Sequence, residues 1–273
     1  MNRSAEKAPW ALVTGASAGI GAEFCRQLAG RGYSLVLVAR RQYRLEELAA
    51  SLKQEHAIDC LVLPLDLAKP GAAASIESTL SAASIEVEFL VNNAGYGVPG
   101  TFLESDWRVH ADSLDVMLIS VLELTWWLLP GMQKRRRGFI VNVASLAGFV
   151  PGTARHTLYG ATKAFLIKFS EALAMENLDT GVAVSALCPG FTYSEFHDVL
   201  GTRDLVSQMN PLLWMEAPEV VRYGIESVTR TPPRFIAVPG RVNRFIAMLS
   251  RKLPLKLAQS MTQGQSRRYR KQD

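Results

Sequence analysis

Tyr159 and Lys163 stand four residues apart in Tyr159-Gly160-Ala161-Thr162-Lys163, and Ser145 lies fourteen residues upstream of the tyrosine. The spacing predicts a helix over 157–177, on which positions i and i+4 share one face, one turn apart. A phenol beside an ammonium is an acid–base device. Free tyrosine has a pKa of about 10. A nearby positive charge favours phenolate, so Lys163 is expected to draw Tyr159 down towards working pH. A hundredfold gain in acidity corresponds to roughly 2.7 kcal/mol. Tyr-x-x-x-Lys also arises by chance in surface helices, so the neighbouring residues decide what this one does.

The second chemical stretch is Thr14-Gly15-Ala16-Ser17-Ala18-Gly19-Ile20-Gly21, between a short apolar run and an amphipathic pattern. At a strand-to-helix turn, Gly15 permits a tight bend and Gly21 lets the helix approach the strand. Gly19 allows the backbone close to a pyrophosphate at the helix N-terminus. An ordinary strand-to-helix turn is the plain alternative. The second strand ends Val38-Ala39-Arg40-Arg41, with no carboxylate to accept from a ribose 2′-hydroxyl. Arginine forks suit a 2′-phosphate, so NADP(H) is favoured over NAD(H), which stays the alternative. Asp66 either accepts from the adenine amino group or caps the segment after it. Asn92-Asn93-Ala94-Gly95 closes the fourth strand, where such sheets bind ligands; its asparagines could equally bridge strand ends.

These groups need strand ends to hold them. Apolar runs at 10–14, 33–39, 60–63, 87–91, 138–143, 182–187 and 235–238 read as strands buried on both faces. Helical spacing lies between them, with one long helix expected over 105–133, broken near Pro130. Strand and helix alternate throughout. The fold class is therefore α/β: a single doubly wound parallel sheet of about seven strands with helices on both faces. Residues 1–273 read as one dinucleotide-binding and catalytic domain. Residues 191–217 form an irregular insert on the substrate side, and 241–273 form a basic C-terminal extension.

The chain has 273 residues, 48% of them hydrophobic and 20% charged, which is a folded, globular composition. Its net charge of +5 is too diffuse for nucleic-acid binding. Three scattered cysteines, with Cys25 in a helix and Cys60 and Cys188 in strands, and four histidines without ligand spacing point away from disulfides and metal. Residues 1–9 are polar, and the longest apolar stretch, 116–129, reads as too short and too polar to span a bilayer. A cytoplasmic protein is the expectation. Membrane contact by the basic, apolar tail is the less favoured reading. Lys134–Arg137 reads as a solvated turn at a helix end, and Trp126 and Trp127 as core or subunit contact.

In order along the chain come the glycine loop, Asn92-Asn93-Ala94-Gly95, Ser145, Tyr159-x-x-x-Lys163 and Pro189-Gly190, each at a strand end. This resembles the short-chain dehydrogenase/reductase family, over roughly residues 10–240, in the subgroup with three residues between the first two glycines. The resemblance implies a Rossmann-like fold and an enzyme that passes a hydride between nicotinamide and a carbonyl or secondary alcohol. The implied catalytic residues are Ser145, Tyr159 and Lys163. Tyr159 would be the general acid, Lys163 would lower its pKa and bind the nicotinamide ribose, and Ser145 would donate to the developing oxyanion. Losing one such donor costs about 10²–10³ in rate. The implied cofactor-binding residues are Thr14, Gly15, Ser17, Gly19, Ile20, Gly21, Arg40, Arg41, Asp66, Leu67, Asn93, Ala94, Gly95, Pro189, Gly190 and Ser194, with Tyr159 and Lys163. A homodimer or homotetramer through the long helix and the Tyr159 helix is implied as well.

Three positions depart from the family pattern. Met117 stands where the family usually places an asparagine that holds a helix kink and a relay water. The loop from Ser145 to Tyr159 is one residue longer than common. Ala18 stands where NADP enzymes of this group often carry a basic residue. The leading expectation is an NADP(H)-dependent oxidoreductase of an apolar carbonyl or alcohol, its pocket lined from 147–158 and 191–214. The alternative is a catalytically weak or inactive NADP(H)-binding sensor or scaffold.

Overall fold

The continuous apolar runs form strands because both faces of the sheet are covered, which removes any need for polar alternation. The structure is a computed structural model and describes residues 8–152, 154, 157–193 and 213–252. The chain opens with β1 (Trp10–Thr14), α1 (Gly19–Ala29), β2 (Ser34–Ala39), α2 (Gln42–His56), β3 (Cys60–Pro64), α3 (Ala72–Ala82) and β4 (Val87–Asn92). It continues through α4 (Trp107–Leu114), a π-helical stretch (Asp115–Ile119), α5 (Ser120–Arg135), β5 (Gly138–Val143), a 3₁₀ turn (Leu146–Gly148) and α6 (Thr157–Glu176). After these come β6 (Val182–Leu187), β7 (Phe191–Thr192), β8 (Trp214–Met215), α7 (Ala217–Thr229), β9 (Ile236–Ala237) and α8 (Arg241–Lys252).

Seven strands form one sheet in the order β3-β2-β1-β4-β5-β6-β9, with every pairing parallel. The order reverses between β1 and β4, and this is the crevice in which such sheets take ligands. One face is covered by Phe24 and Leu28 of α1, Leu45 and Leu52 of α2, and Val220 and Ile225 of α7. The other is covered by Ile76 and Leu80 of α3, Leu124 and Met132 of α5, and Leu173 of α6. The expected insert contains the short parallel pair β7–β8; its residues 194–212 lie outside the described residues.

The long helix differs from expectation in two ways. It runs unbroken from Trp107 to Arg135, 29 residues, through Pro130. Pro130 is exposed, so the carbonyl it cannot bond meets water rather than the core. By length and composition this helix is able to cross a membrane, which corrects the reading of 116–129 as too short and too polar. At Asp115–Ile119 it takes a wider π turn, beside which Ser120 Oγ donates to Val116 O at 2.8 Å. Trp126 and Trp127 are exposed rather than core. Lys134–Arg137 does more than solvate a turn: Arg135 pairs with Glu86 at 3.4 Å and donates to Val87 O, and Arg137 pairs with Glu88 at 3.0 Å. Cys188 lies one residue beyond β6 rather than inside a strand.

Candidate active site

α6 delivers Tyr159 and Lys163 to the carboxyl end of β5. Lys163 is buried, and its Nζ donates to Val143 O at 2.7 Å. The same Nζ lies 5.6 Å from the centroid of the half-buried Tyr159 ring. Ser145 sits two residues past β5. Its Oγ accepts from Ala147 N at 3.1 Å, which starts the 3₁₀ turn, and its side chain hydrogen-bonds Tyr159. A serine, a tyrosine and a lysine from two elements thus meet at one strand end.

The charge states differ from expectation. Burial pushes the Tyr159 phenol up to about 12, and the Ser145 hydrogen bond opposes this only in part. Lys163 does not counter it: its ammonium is bonded to Val143 O, and burial lowers its own pKa to about 8. Desolvation therefore outweighs the i, i+4 attraction in the protein alone. A tyrosine held protonated is a proton donor, and a lysine near 8 is a cation that is costly to keep.

The glycine loop is built as its spacing predicts. Gly15 has φ +67, and a Cβ there would come within 2.7 Å of Asn93 Nδ2. A Cβ on Gly21 would lie 2.2 Å from Gly15 O, so only glycine lets α1 approach β1 this closely. No side chain caps α1, whose preceding residue is the extended Ala18, so its first N–H groups remain open to an anion. Asn93 Nδ2 donates to Thr14 O at 2.9 Å, and Thr14 Oγ1 accepts from Asn93 N at 2.9 Å and Ala94 N at 3.0 Å. Asn93 is thus the bridge between the end of β4 and the glycine loop. Its neighbour Asn92 donates to Asn142 Oδ1 at 2.8 Å, and Asn142 donates to Ser170 of α6, which ties β4, β5 and α6 together.

Arg41 reaches back to the loop and donates from Nε and Nη2 to Ser17 Oγ at 3.2 and 3.1 Å. Arg40 lies 6.0 Å from the centroid of the Tyr96 ring. Asp66 takes the capping role, accepting from Ala68 N at 3.1 Å, and Leu67 beside it is buried. Pro189 O accepts from Leu146 N at 2.8 Å, which joins the loops after β5 and β6, and a Cβ on Gly190 would collide with Asn243. Ser194 lies outside the described residues. An uncapped helix start, a backbone cradle of glycine and two arginines at the end of β2 fit a phosphorylated dinucleotide.

Beside Tyr159 opens a narrow cleft lined by Tyr96, Val98, Phe102, His110, Ser113 and Met117 among others. Sequence reasoning placed the pocket at 147–158 and 191–214. Among the described residues of these two stretches, Thr157 and Leu158 line this cleft; 194–212 lie outside the described residues. The segment after Gly95 was missed, although its place beyond a strand end at the switch point was the available signal. His110 and Ser113 are buried, and His110 Nδ1 and Ser113 Oγ have no hydrogen-bond partner among the described residues. Met117 packs on Gly95, with Cγ and Sδ 3.1 and 3.2 Å from where a Cβ would stand.

A doubly wound parallel sheet with this crevice and this strand-end cluster defines a nucleotide-binding α/β oxidoreductase. More narrowly, the chain belongs to the short chain dehydrogenase family, whose model matches residues 9–204. It is 36% identical over 197 residues to a very-long-chain 3-oxoacyl-CoA reductase of Laccaria bicolor, which is 71% of this chain and 58% of that one. The match to the corresponding reductase of Danio rerio is 32% over 202 residues, or 72% and 64%. The chain thus spans less than two thirds of these curated relatives. Among solved structures, a short-chain dehydrogenase from Sphingobium yanoikuyae in complex with NADPH superposes with TM-score 0.78 at 30% identity, over 90% of this chain and 96% of that one.

The expectation of a cytoplasmic protein is corrected here. The relatives are named for very-long-chain acyl thioesters, which are lipids, and the helix Trp107–Arg135 is long and apolar enough to cross a membrane.

Proposed function

We propose that this chain is an NADP(H)-dependent reductase of a carbonyl on a bulky apolar molecule, with a 3-oxoacyl thioester as the leading substrate class. The carrying observation is Ser145 hydrogen-bonded to a Tyr159 that burial keeps protonated, with Lys163 one turn away. Tyr159 gives its proton to the carbonyl oxygen, and Ser145 donates to the same oxygen as charge develops there. Lys163 stands one turn from the tyrosine on the same helix, its ammonium held by Val143 O. When bound, the nicotinamide supplies the hydride. Gly15, Gly19 and Gly21 with the start of α1 would hold its pyrophosphate, and Arg41 with Ser17 would hold a 2′-phosphate. The names of the acyl-CoA reductases and the NADPH-bound neighbour support the substrate class and the cofactor. The exposed Trp126, Trp127, Phe165 and Met175 on α5 and α6 support a homo-oligomer through these helices.

The test is Tyr159→Phe, assayed by NADPH oxidation against a panel of 3-oxoacyl thioesters and bulky ketones. Turnover should fall by at least ~10²-fold, with NADPH binding nearly unchanged. Turnover retained in the variant refutes the assignment. A wild-type protein that binds NADPH tightly yet is inert on the whole panel would be a sensor or scaffold instead.

A further inference from the structure

α8 is held on one side and bare on the other. Its buried residues are Asn243 and Ala247. Asn243 Nδ2 donates to Pro239 O at 3.1 Å, lies 3.5 Å from Met215 Sδ and fills the space beside Gly190. Ala247 packs with Leu166, Ile167 and Cys188, and the Arg251 guanidinium lies 5.1 Å from the centroid of the Phe149 ring. The helix therefore bridges the loops after β5 and β6, the two walls beside Ser145 and Tyr159.

Its outer side carries Val242, Phe245 and Met248, exposed by 40%, 58% and 46%. At i, i+3 and i+6 they form one stripe. Arg241, Arg244, Arg251 and Lys252 are exposed around that stripe, and 241–252 contains no acidic residue. A merely solvated helix has no need of phenylalanine and methionine in water. A helix covered by protein does not ring them with unpaired-sign charge. Apolar side chains interleaved with long cationic ones suit an anionic lipid interface, where the stems bury and the heads reach phosphate. Next to this helix, Tyr193 is exposed and stacks on Trp214 at 4.6 Å, and Trp214 adjoins Met215. Tyrosine and tryptophan favour the membrane–water boundary. A second copy is the poorer occupant, because two such helices would oppose like charges. The sequence beyond 252 carries five basic residues, Lys256, Arg267, Arg268, Arg270 and Lys271, and one acidic one, Asp273.

We propose that α8 is a membrane-docking helix: its Val242–Phe245–Met248 stripe and surrounding basic side chains seat the chain on an anionic bilayer, with the catalytic mouth at the lipid surface. The inference goes beyond the proposed reductase activity and does not depend on which carbonyl is reduced. The test uses the full chain in co-sedimentation with vesicles of phosphatidylcholine, with and without phosphatidylserine. Each basic residue near such a surface contributes about fivefold to partitioning. Arg241→Gln with Lys252→Gln should therefore lower the partition coefficient for anionic vesicles about 25-fold. Phe245→Ser with Met248→Ser should lower it at unchanged charge. Both pairs are exposed, so melting temperature and NADPH binding should match wild type, and these readouts need no turnover. Absence of binding to anionic vesicles, equal binding to neutral ones, or binding that neither pair weakens overturns the proposal. So does light scattering that shows an oligomer dispersed by Phe245→Ser with Met248→Ser.

Discussion

Lys163→Met tests whether the site holds a costly charge. Burial lowers Lys163 from the usual lysine value of 10.5 to about 8. At 1.36 kcal/mol per factor of ten this amounts to about 3 kcal/mol of destabilisation when the ammonium is charged. The sign is the reverse of the common lysine case. Between pH 8 and 10.5 the unfolded chain holds a proton that the folded chain has lost, so stability rises with pH. Below 8 both states are protonated and the full penalty stands. Tyr159, raised to about 12, has the opposite effect, and its contribution fades as pH climbs from 10. Cys188 is also raised to about 12 and loses its contribution above 9. The quantity to measure is thus the difference between wild type and Lys163→Met, by urea unfolding without cofactor at pH 7, 8 and 9. At pH 7 the variant sheds about 3 kcal/mol of penalty. It also leaves Val143 O without its donor, which costs about 1–3 kcal/mol, so its stability should lie close to wild type or slightly above. From pH 8 to 9 the wild type should gain about 1 kcal/mol on the variant, since the folded lysine is half protonated at pH 8. A difference that stays flat across that interval refutes the buried-charge reasoning.

Gly21→Ala should break the joint between α1 and β1, since its Cβ would lie 2.2 Å from Gly15 O. Expected are a loss of about 1–3 kcal/mol in unfolding free energy and loss of NADPH binding by fluorescence titration. A variant with normal stability and normal binding would remove the glycine-loop argument. Arg41→Ala should weaken NADPH binding by about tenfold or more while leaving NADH nearly unchanged, as loss of a charge-assisted bond predicts. Equal losses for both cofactors would assign Arg41 to loop support through Ser17 alone.

The frame of the molecule was legible because burial on both sheet faces writes itself as unbroken apolar runs, and the strands fall where those runs lie. Gly15, Gly21 and Asn93 were legible for a related reason: each satisfies a backbone requirement that few residue types meet. The π turn at Asp115–Ile119 was not, since it places Met117 against Gly95, a contact between residues far apart in sequence. The cleft beyond Gly95 was missed because Tyr96, Phe102, His110 and Ser113 are apart in sequence and share no period. The cytoplasmic reading weighed the 116–129 stretch as too short and too polar to span a bilayer, whereas the unbroken helix from Trp107 to Arg135 that contains it is long and apolar enough by length and composition.

The charge on Tyr159 shows where residue spacing stops being informative. An i, i+4 tyrosine and lysine are neighbours by helix geometry, and attraction alone predicts an acidic phenol. Whether attraction or desolvation wins depends on what else surrounds the pair, and that surrounding comes from β5, the loop at Ser145 and the Met117 turn. With Lys163 Nζ committed to Val143 O and the phenol desolvated, desolvation wins and the phenol stays protonated. Met117 brings no hydrogen-bonding group of comparable strength to this enclosure. The polar atoms beside Tyr159 are instead Ser145 Oγ on one side and, in the cleft, His110 Nδ1 and Ser113 Oγ, which are buried without partners among the described residues. A phenol raised to about 12 is a weaker acid than free tyrosine, so the protein alone keeps the proton on Tyr159.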